Sequence, residues 1–286
     1  MFKQILPQPN IQGIAAGAVA TGNIPTTGTH YATFLYCLSG AGVPLTRAQM
    51  IADIGDIKIR INGELIVEAS ATFLLDLQKY YGDANVAAIA GNVDGVIPIF
   101  WTRPFYATES ERSIFALGME DVSSFQVDVS VTAVAVLSTI QVYSQVTPER
   151  RRFGQHFRIN RFPQAFGATG VHEITTLPKE GNDVAYTVLH VGPGAAGSVS
   201  QATVKIGGNN VYENVSGGLA QVIGGTQRRA PQAGYHHIDF AVSNDLNGMI
   251  PMAGVKDWRQ QITWITAAPV TYDIYTERIF GLKVAQ

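Results

Sequence analysis

The stretch IKIRINGELIVEASATFLLDLQKYYG, residues Ile57 to Gly82, contains three local patterns that decide the fold. Apolar and polar residues alternate on both sides of Asn62-Gly63, a dipeptide that is typical of the tight type I′ turn between two antiparallel strands. From about Ser70 the spacing of apolar residues changes to that of a short helix, which ends before Gly82. The stretch therefore predicts a β-hairpin that leads directly into an amphipathic helix.

The chain contains this pattern a second time. Residues Ala202 to Gln227, ATVKIGGNNVYENVSGGLAQVIGGTQ, align with the first stretch without a gap, so that Gly63 falls on Gly208 and Leu74 on Leu219. Two β-rich segments can match by chance in this way. A single match is therefore weak support for a duplication.

A second pair of segments strengthens the case. Met119 to Val146 aligns with Met252 to Ile279, and this alignment places Phe125 on Trp258. The two pairs of segments occur in the same order in both halves of the chain. This order favours an internal duplication, with shorter loops in the second copy.

Each copy holds about eight strand-like segments and one short helix after the inner hairpin. Eight strands in two facing four-stranded sheets form a jelly roll. We therefore predict an all-β chain of two tandem eight-stranded jelly rolls, a double jelly roll, with short helices in the connections. The predicted boundaries are an N-terminal arm over residues 1–27, a first jelly roll over 28–147, a linker over 148–170 and a second jelly roll over 171–286.

The amino-acid composition limits the classes of function. Hydrophobic residues make up 46% of the chain and charged residues only 15%, against about 25% in an ordinary soluble domain. The net charge of −2 gives no electrostatic footprint for sequence-specific binding of nucleic acid. Cys37 is the single cysteine, and the apolar run around it predicts a buried thiol. The low charge content predicts that partners cover much of the surface.

Two segments are candidates for contacts with other molecules. The N-terminal arm is low in charge, and it is either a segment that lies against a neighbour or a frayed terminus. The predicted linker contains ERRRFGQHFRINRF, a basic run with interleaved aromatic residues. Such a run suits contact with nucleic acid or anionic lipid, but we favour arginines that pair with acids on a neighbouring domain or subunit. The candidate interface residues are Phe2, Lys3, Ile5, Arg150, Arg151 and Arg152.

The sequence offers no catalytic constellation, and we expect neither an enzyme nor a required cofactor. It lacks the nucleophile-elbow, zinc-protease and phosphate-loop motifs. His236 and His237 are adjacent and therefore point to opposite faces of a strand, unlike the His-x-His pair of a cupin metal site. A structural Ca²⁺ is a weaker hypothesis. It rests on the oxygen ligands of Asp239, Asn244 and Asp245, whose spacing is not that of a known calcium loop.

The first half resembles a known family in the order of four segments. They are GTHYATFLYCL, then LTRAQMIADIGDIKIRINGELIVE, then the helix that ends in LQKYYG, then VIPIFW. This succession resembles the N-terminal part of the major capsid proteins of tailless, icosahedral, membrane-containing bacteriophages of the corticovirus type. The resemblance covers roughly residues 27–106. The second half adds the strand order and the internal repeat.

The resemblance implies a structural major capsid protein. Three chains would form a homotrimeric capsomer with a pseudo-hexameric outline, because each chain supplies two similar units. It further implies an icosahedral virion around an internal membrane, with contacts to neighbouring capsomers and to penton or minor capsid proteins. The protein would be located in the virion and assembled in the host cytoplasm. Some relatives bind stabilising calcium ions.

Two other classes of function compete with this hypothesis. A carbohydrate-binding or host-attachment β-sandwich would expose a cluster of aromatic residues, whereas Trp101, Trp258 and Trp264 fall in or beside predicted strands. An enzyme of the cupin or glycosidase type would need clustered histidines or paired carboxylates, which the sequence does not show. The residues therefore favour the capsid protein.

Overall fold

The chain folds into two compact units, residues Met1–Phe157 and Arg158–Gln286, here called unit 1 and unit 2. The structure is a computed structural model, and it describes residues 3–81, 95–103, 112–132, 136–167, 169–179, 181, 184–192, 199–243, 248–265 and 270–281. No helix in these described ranges is long and apolar enough to cross a membrane.

Unit 1 consists mainly of strands. Its elements are β1 (Gln4–Gln8), β2 (Val19–Asn23), β3 (Thr29–Ser39), α1 (Arg47–Asp53), β4 (Ile54–Ile61), β5 (Glu64–Ser70), α2 (Ala71–Tyr80), β6 (Val96–Phe100), β7 (Leu117–Gly118), β8 (Phe125–Val131) and β9 (Leu137–Thr147). One sheet has the order β1-β9-β3-β6, with the short β7 also paired to β3. The other runs β5-β4-β8-β2.

Unit 2 repeats this arrangement. Its elements are β10 (His156–Phe166, which begins just before the unit boundary), β11 (Gly170–Ile174), β12 (Ala185–Val191), β13 (Val199–Ile206), β14 (Asn209–Ser216), α3 (Gly217–Thr226), β15 (His236–Asp239), β16 (Ile250–Pro251), β17 (Trp258–Trp264) and β18 (Val270–Phe280). One sheet has the order β15-β12-β18-β10, with β16 also on β12, and the other runs β11-β17-β13-β14. Among the described residues each unit thus has eight main strands in jelly-roll order, which confirms the predicted fold class.

The predicted local features are present. Asn62 and Gly63 have φ angles of 52° and 81°, as a type I′ turn requires. Thr46 caps α1, and its backbone N–H donates in turn to Gln49 Oε1 over 2.8 Å. Pro98 lies in β6, a strand at the edge of its sheet, where its missing N–H is tolerated. Cys37 is buried in β3, and burial raises the pKa of its thiol to about 12.

The element bounds support the internal duplication and correct one part of its register. β8 and β17 begin at Phe125 and Trp258, as the second alignment predicts. In the first alignment the register holds through the hairpin turn, but β14 then contains an extra bulged residue near Asn214, whose φ is 47°. The helix caps Ser70 and Ser216 are therefore equivalent, and the gapless pairing of Leu74 with Leu219 is wrong by one position. By the caps, Leu219 corresponds to Phe73.

The structure also differs from the predicted segment boundaries. Residues 1–27, expected as an arm, contain β1 and β2, which pair with β9 and β8. Residues 148–170, expected as a linker, contain all of β10, where Phe157 and Ile159 alternate into the interior between polar residues. The partner strands lie far away in the sequence. The local sequence contains few features that favour a strand, so it did not predict β1, β2 and β10.

An aromatic contact joins the two sheets at the same place in each unit. In unit 1 the Phe125 ring centroid lies 5.5 Å from that of His30 and 5.8 Å from that of Trp101. In unit 2 the Trp258 ring lies 5.0 Å from Tyr186 and 6.4 Å from Phe240. Phe125 and Trp258 are both almost fully buried and open corresponding strands. The duplication therefore includes the centre of each core.

Replacing Phe125 by Ala or Trp258 by Ala should each lower the free energy of unfolding by about 3–5 kcal/mol, because each removes a buried aromatic ring that bridges two sheets. Urea titration followed by circular dichroism measures this loss. Val171→Ala is the control, since Val171 is exposed on β11, and its effect should stay within about 0.5 kcal/mol. Losses similar to the control at both positions would contradict the proposed role of the two rings.

Candidate assembly surfaces and a buried histidine network

The N-terminal candidates lie on an exposed edge of unit 1. β1 pairs with β9 on one side, and Ile5 in this strand is 63% exposed. Lys3 is also exposed, with its Nζ 4.4 Å from the centre of the Tyr31 ring. Phe2, the third predicted residue here, lies outside the described part of the chain. β1 thus presents apolar side chains and one positive charge at the edge of a sheet.

The three consecutive arginines differ in their surroundings. Arg151 donates to the backbone carbonyls of Ser113 and Ile114 over 3.4 and 3.5 Å, so it is tied to unit 1. Arg150 and Arg152 are exposed and form no ion pair with another described residue. They are the two members of this group that are available to a partner.

The arginines further along the basic run act inside unit 2. Arg161 on β10 forms an ion pair with Asp273 on β18 over 2.9 Å. Arg158 lies over the Phe280 ring, 4.0 Å from its centre. These contacts connect two neighbouring strands. The basic run is therefore in part a structural element of the second jelly roll.

The structure describes one residue of the calcium hypothesis. Asp239 is buried in β15, and its carboxylate accepts a hydrogen bond from Arg229 Nε over 2.8 Å. Asn244 and Asp245 lie outside the described residues. In the described part of the chain no group of three or more His, Cys, Asp or Glu side chains is arranged to hold a metal ion. The predicted Ca²⁺ site stays a prediction.

A buried chain of hydrogen bonds crosses three strands of unit 2. His190 on β12 lies directly opposite His237 on β15, and their Nδ1 atoms are 2.7 Å apart. On its other side, His190 Nε2 lies 3.0 Å from a carboxylate oxygen of Glu277 on β18. The backbone N–H of Gln232 donates to His237 Nε2 over 3.2 Å. All three side chains of this network are buried.

These partners assign the protons of the network. Because His237 Nε2 accepts from Gln232, His237 carries its proton on Nδ1 and donates it to His190 Nδ1. His190 then carries its proton on Nε2 and donates it to Glu277. Every nitrogen has a partner while both histidines are neutral. A further proton on His237 would lie on Nε2, where this N–H would face the backbone N–H of Gln232.

Burial lowers the pKa of three histidines, namely His237, His236 and His30. Burial, followed by the nearby His190 and His236, holds the pKa of His237 well below its usual value. Burial alone lowers the pKa of His236 to about 4, and neither of its ring nitrogens has a hydrogen-bond partner among the described residues. In unit 1, burial lowers the pKa of His30 to about 4 against the opposing effect of the Thr27 and Pro25 carbonyls.

The sequence alone did not reveal the histidine network. His236 and His237 were correctly expected on opposite faces of a strand, and both are buried. Their partners His190 and Glu277 come from strands that are distant in sequence and show no motif. The network became visible only once the register between β12 and its two neighbours was known.

Two units, each of two sheets in the same jelly-roll order, form a double jelly roll, the fold of a class of viral capsid proteins. Sequence comparison makes this more specific. The N-terminal domain family of viral coat protein P2 matches residues 5–147, and the C-terminal domain family of viral coat protein P2 matches residues 157–282. The chain therefore belongs to the viral coat protein P2 family. It is a major capsid protein, a structural component of the virion and not an enzyme.

Solved structures agree with this fold. The major capsid protein P2 from Bacteriophage PM2 superimposes with a TM-score of 0.82 at 16% identity, over 99% of this chain and 98% of that chain. A structure of Sulfolobus Turreted Icosahedral Virus gives a TM-score of 0.66 at 14% identity, over 98% and 90%. The Faustovirus major capsid protein gives 0.64 at 8% identity, over 99% and 90%. A comparison with curated proteins found no match.

The buried histidines predict that stability falls on acidification. The pKa of His236 is lower in the folded than in the unfolded chain. Its contribution to the free energy of unfolding is therefore complete above the pKa of the unfolded chain, about 6.5. This contribution is lost as the pH falls towards about 4. His236→Leu should reduce the loss of unfolding free energy between pH 7 and pH 4 by about 3 kcal/mol, measured by urea titration at each pH.

His172→Leu is the matched control in unit 2. The His172 ring is partly exposed, and burial lowers its pKa less strongly. This replacement should therefore change the pH dependence less than His236→Leu. Equal pH profiles for wild type and His236→Leu would show that protonation of His236 does not limit acid stability.

Proposed function

We propose that this major capsid protein forms homotrimeric capsomers with a pseudo-hexameric outline. The observation that carries this proposal is the repeated topology, in which each chain supplies two units with the same strand order. Three such chains around a threefold axis place six similar units in a ring. Closed rotational symmetry lets one pair of surfaces be used at every contact of the ring.

The proposal extends to the shell that the capsomers build. The trimers tile an icosahedral virion around an internal membrane, contact neighbouring capsomers and meet penton or minor capsid proteins at special positions. The protein is assembled in the host cytoplasm. The low charge content, 15% of residues, supports a chain whose surface is extensively covered by partners.

Among the described residues, no observation supports the carbohydrate-binding or host-attachment alternative. The three tryptophans Trp101, Trp258 and Trp264 are all buried, so they do not form an exposed platform for a glycan ring. No second function is therefore proposed.

Light scattering of the purified protein tests the trimer. We expect a stable species of three times the chain mass of 30.8 kDa at low and moderate ionic strength. A monomer under all conditions would refute the trimeric capsomer. The measurement with Ca²⁺ and with a chelator also tests the structural calcium ion, since a trimer that is unaffected by chelation would argue against an ion that holds it together.

Contact with the internal membrane is tested with Arg150 and Arg152. Both are exposed and positively charged, so they should support binding to anionic vesicles that weakens as salt is added. In a flotation assay Arg150→Glu/Arg152→Glu should float less than wild type. Lys256→Glu/Arg259→Glu makes the same change of charge elsewhere and should float like wild type. Equal flotation of all three proteins would assign the membrane contact to other residues.

A further inference from the structure

α2 and α3 occupy the same place in the two units but differ in how well they are covered. Both follow the inner hairpin, and both are capped by serine, with Ser70 and Ser216 Oγ accepting backbone N–H groups over 3.1 and 3.2 Å. α2 buries seven of its residues, namely Ala71, Phe73, Leu74, Leu75, Leu77, Gln78 and Tyr80. α3 packs on β13, β14 and β15, and among its residues only Gly224 is buried.

The uncovered side of α3 is apolar. Leu219, Val222 and Ile223 are 50%, 65% and 40% exposed, and Val211 on the preceding strand is exposed as well. By the helix caps, Leu219 corresponds to Phe73, which is 1% exposed in unit 1. Unit 2 therefore has an apolar residue at the position of a core residue in unit 1, but this residue is exposed to solvent.

In unit 1, α2 packs on β6, β4 and β5 and also contacts α1. Arg47 of this helix donates to the Asp76 carboxylate of α2 over 2.6 Å and holds the two helices together. α1 lies in the connection over residues 40–53, whereas the corresponding connection in unit 2 spans only residues 192–198. At the position of Asp76, α3 has Val222. The connection is thus shorter in unit 2, and an apolar residue replaces the aspartate that pairs with the arginine in unit 1.

Charge indicates what covers this surface. Residues 206–227 contain a single charged residue, Glu213, which is exposed. A lipid surface that carries anionic headgroups is recognised by clusters of several Lys and Arg, whereas this segment contains neither, and Lys205 and Arg228 at its two ends do not form such a cluster. Residues 1–46 contain a single charged residue of the opposite sign, Lys3, close to the exposed Ile5 and Leu6 of β1. The two surfaces are complementary in both apolar character and charge.

We propose that the β14–α3 surface (Val211, Glu213, Leu219, Val222 and Ile223) binds the β1 edge (Lys3, Ile5 and Leu6) of a second copy of this chain. The proposal rests on the proposed trimer and names the surfaces that hold it together. A contact between two different surfaces joins chains head to tail, and such a contact closes into a ring when the rotation suits. Each copy then covers the apolar helix of its neighbour.

Charged replacements at the two surfaces test this contact. Val222→Asp introduces the residue type that α2 has at the same place, and Ile5→Asp changes the opposing surface. Each should weaken the trimer about tenfold or more, as for an apolar residue in the centre of an interface, while circular dichroism shows an unchanged fold. Val43→Asp is the control, because Val43 has a comparable exposure of 58% and lies outside both surfaces. Light scattering over a dilution series gives the dissociation constants.

Crosslinking tests which surfaces meet. Ile5→Cys protein mixed with Val222→Cys protein should be joined by a short bismaleimide, whereas neither protein alone should be joined. The double variant should give a ladder that ends at covalent trimers. Cys37 need not be removed, because it is buried and burial raises the pKa of its thiol to about 12.

The outcomes separate this contact from the proposed function. A wild-type trimer that Val222→Asp and Ile5→Asp leave as stable as Val43→Asp would overturn the contact and leave the trimeric capsomer standing. A wild-type monomer would overturn both. A third outcome is that wild type floats with neutral vesicles, whereas Val222→Asp does not float but still forms the trimer. This would assign the α3 surface to lipid binding and would also overturn the contact.

Discussion

Phe125 and Trp258 bridge the two sheets of their units, and the rest of each jelly roll depends on that contact. Each ring starts a strand of one sheet and meets two rings from the opposite sheet, one on β3 or β12 and one just after β6 or β15. The chain has a single cysteine and therefore no internal disulfide to hold the layers together. The two sheets are therefore held together by apolar packing, which stabilises by about 25 cal/mol per Å² of buried apolar surface. The duplication has preserved the positions of the rings while their chemical identities have changed.

The histidine network places a different constraint on unit 2. Its hydrogen bonds join β15, β12 and β18 within one sheet, and they are complete in one arrangement of protons. A shift of one residue between these strands would leave buried polar groups without partners, at a cost of about 1–3 kcal/mol each. The network therefore fixes the strand register as well as making the unit sensitive to acid.

Much of the fold could be predicted from the sequence because its signals are local. Asn62-Gly63, the capping box of Thr46 and the alternation in β8 each depend on residues within a few positions. β1, β2 and β10 were missed as jelly-roll strands because their pairing partners are distant and their own sequences are interrupted by Pro, Gly or Arg. The bulge at Asn214 has no local signal either, since Asn is common in ordinary turns.

The candidate surfaces were only partly predictable for the same reason. Lys3, Ile5 and the arginines stood out by composition, yet the structure divides the arginines between those that make contacts within their own unit, such as Arg161 and Arg151, and those that are exposed, Arg150 and Arg152. The exposed face of α3 could not be recognised in the sequence, because Leu219 and Val222 read as a normal buried helix face. What reveals it is the comparison with α2, whose apolar side chains are buried.

This difference between the two units has a consequence for symmetry. If both helices were buried as α2 is, neither would present an apolar surface to a partner. If both were exposed as α3 is, each chain would carry two apolar helix surfaces and would bind neighbours at either one. Because α3 alone is exposed, each chain has one such surface, and β1 of unit 1 supplies one complementary edge. A chain with one surface of each kind joins its neighbours in a single orientation. Under the proposed contact, the ring then contains three identical chains, while its outline repeats six times because each chain supplies two similar units.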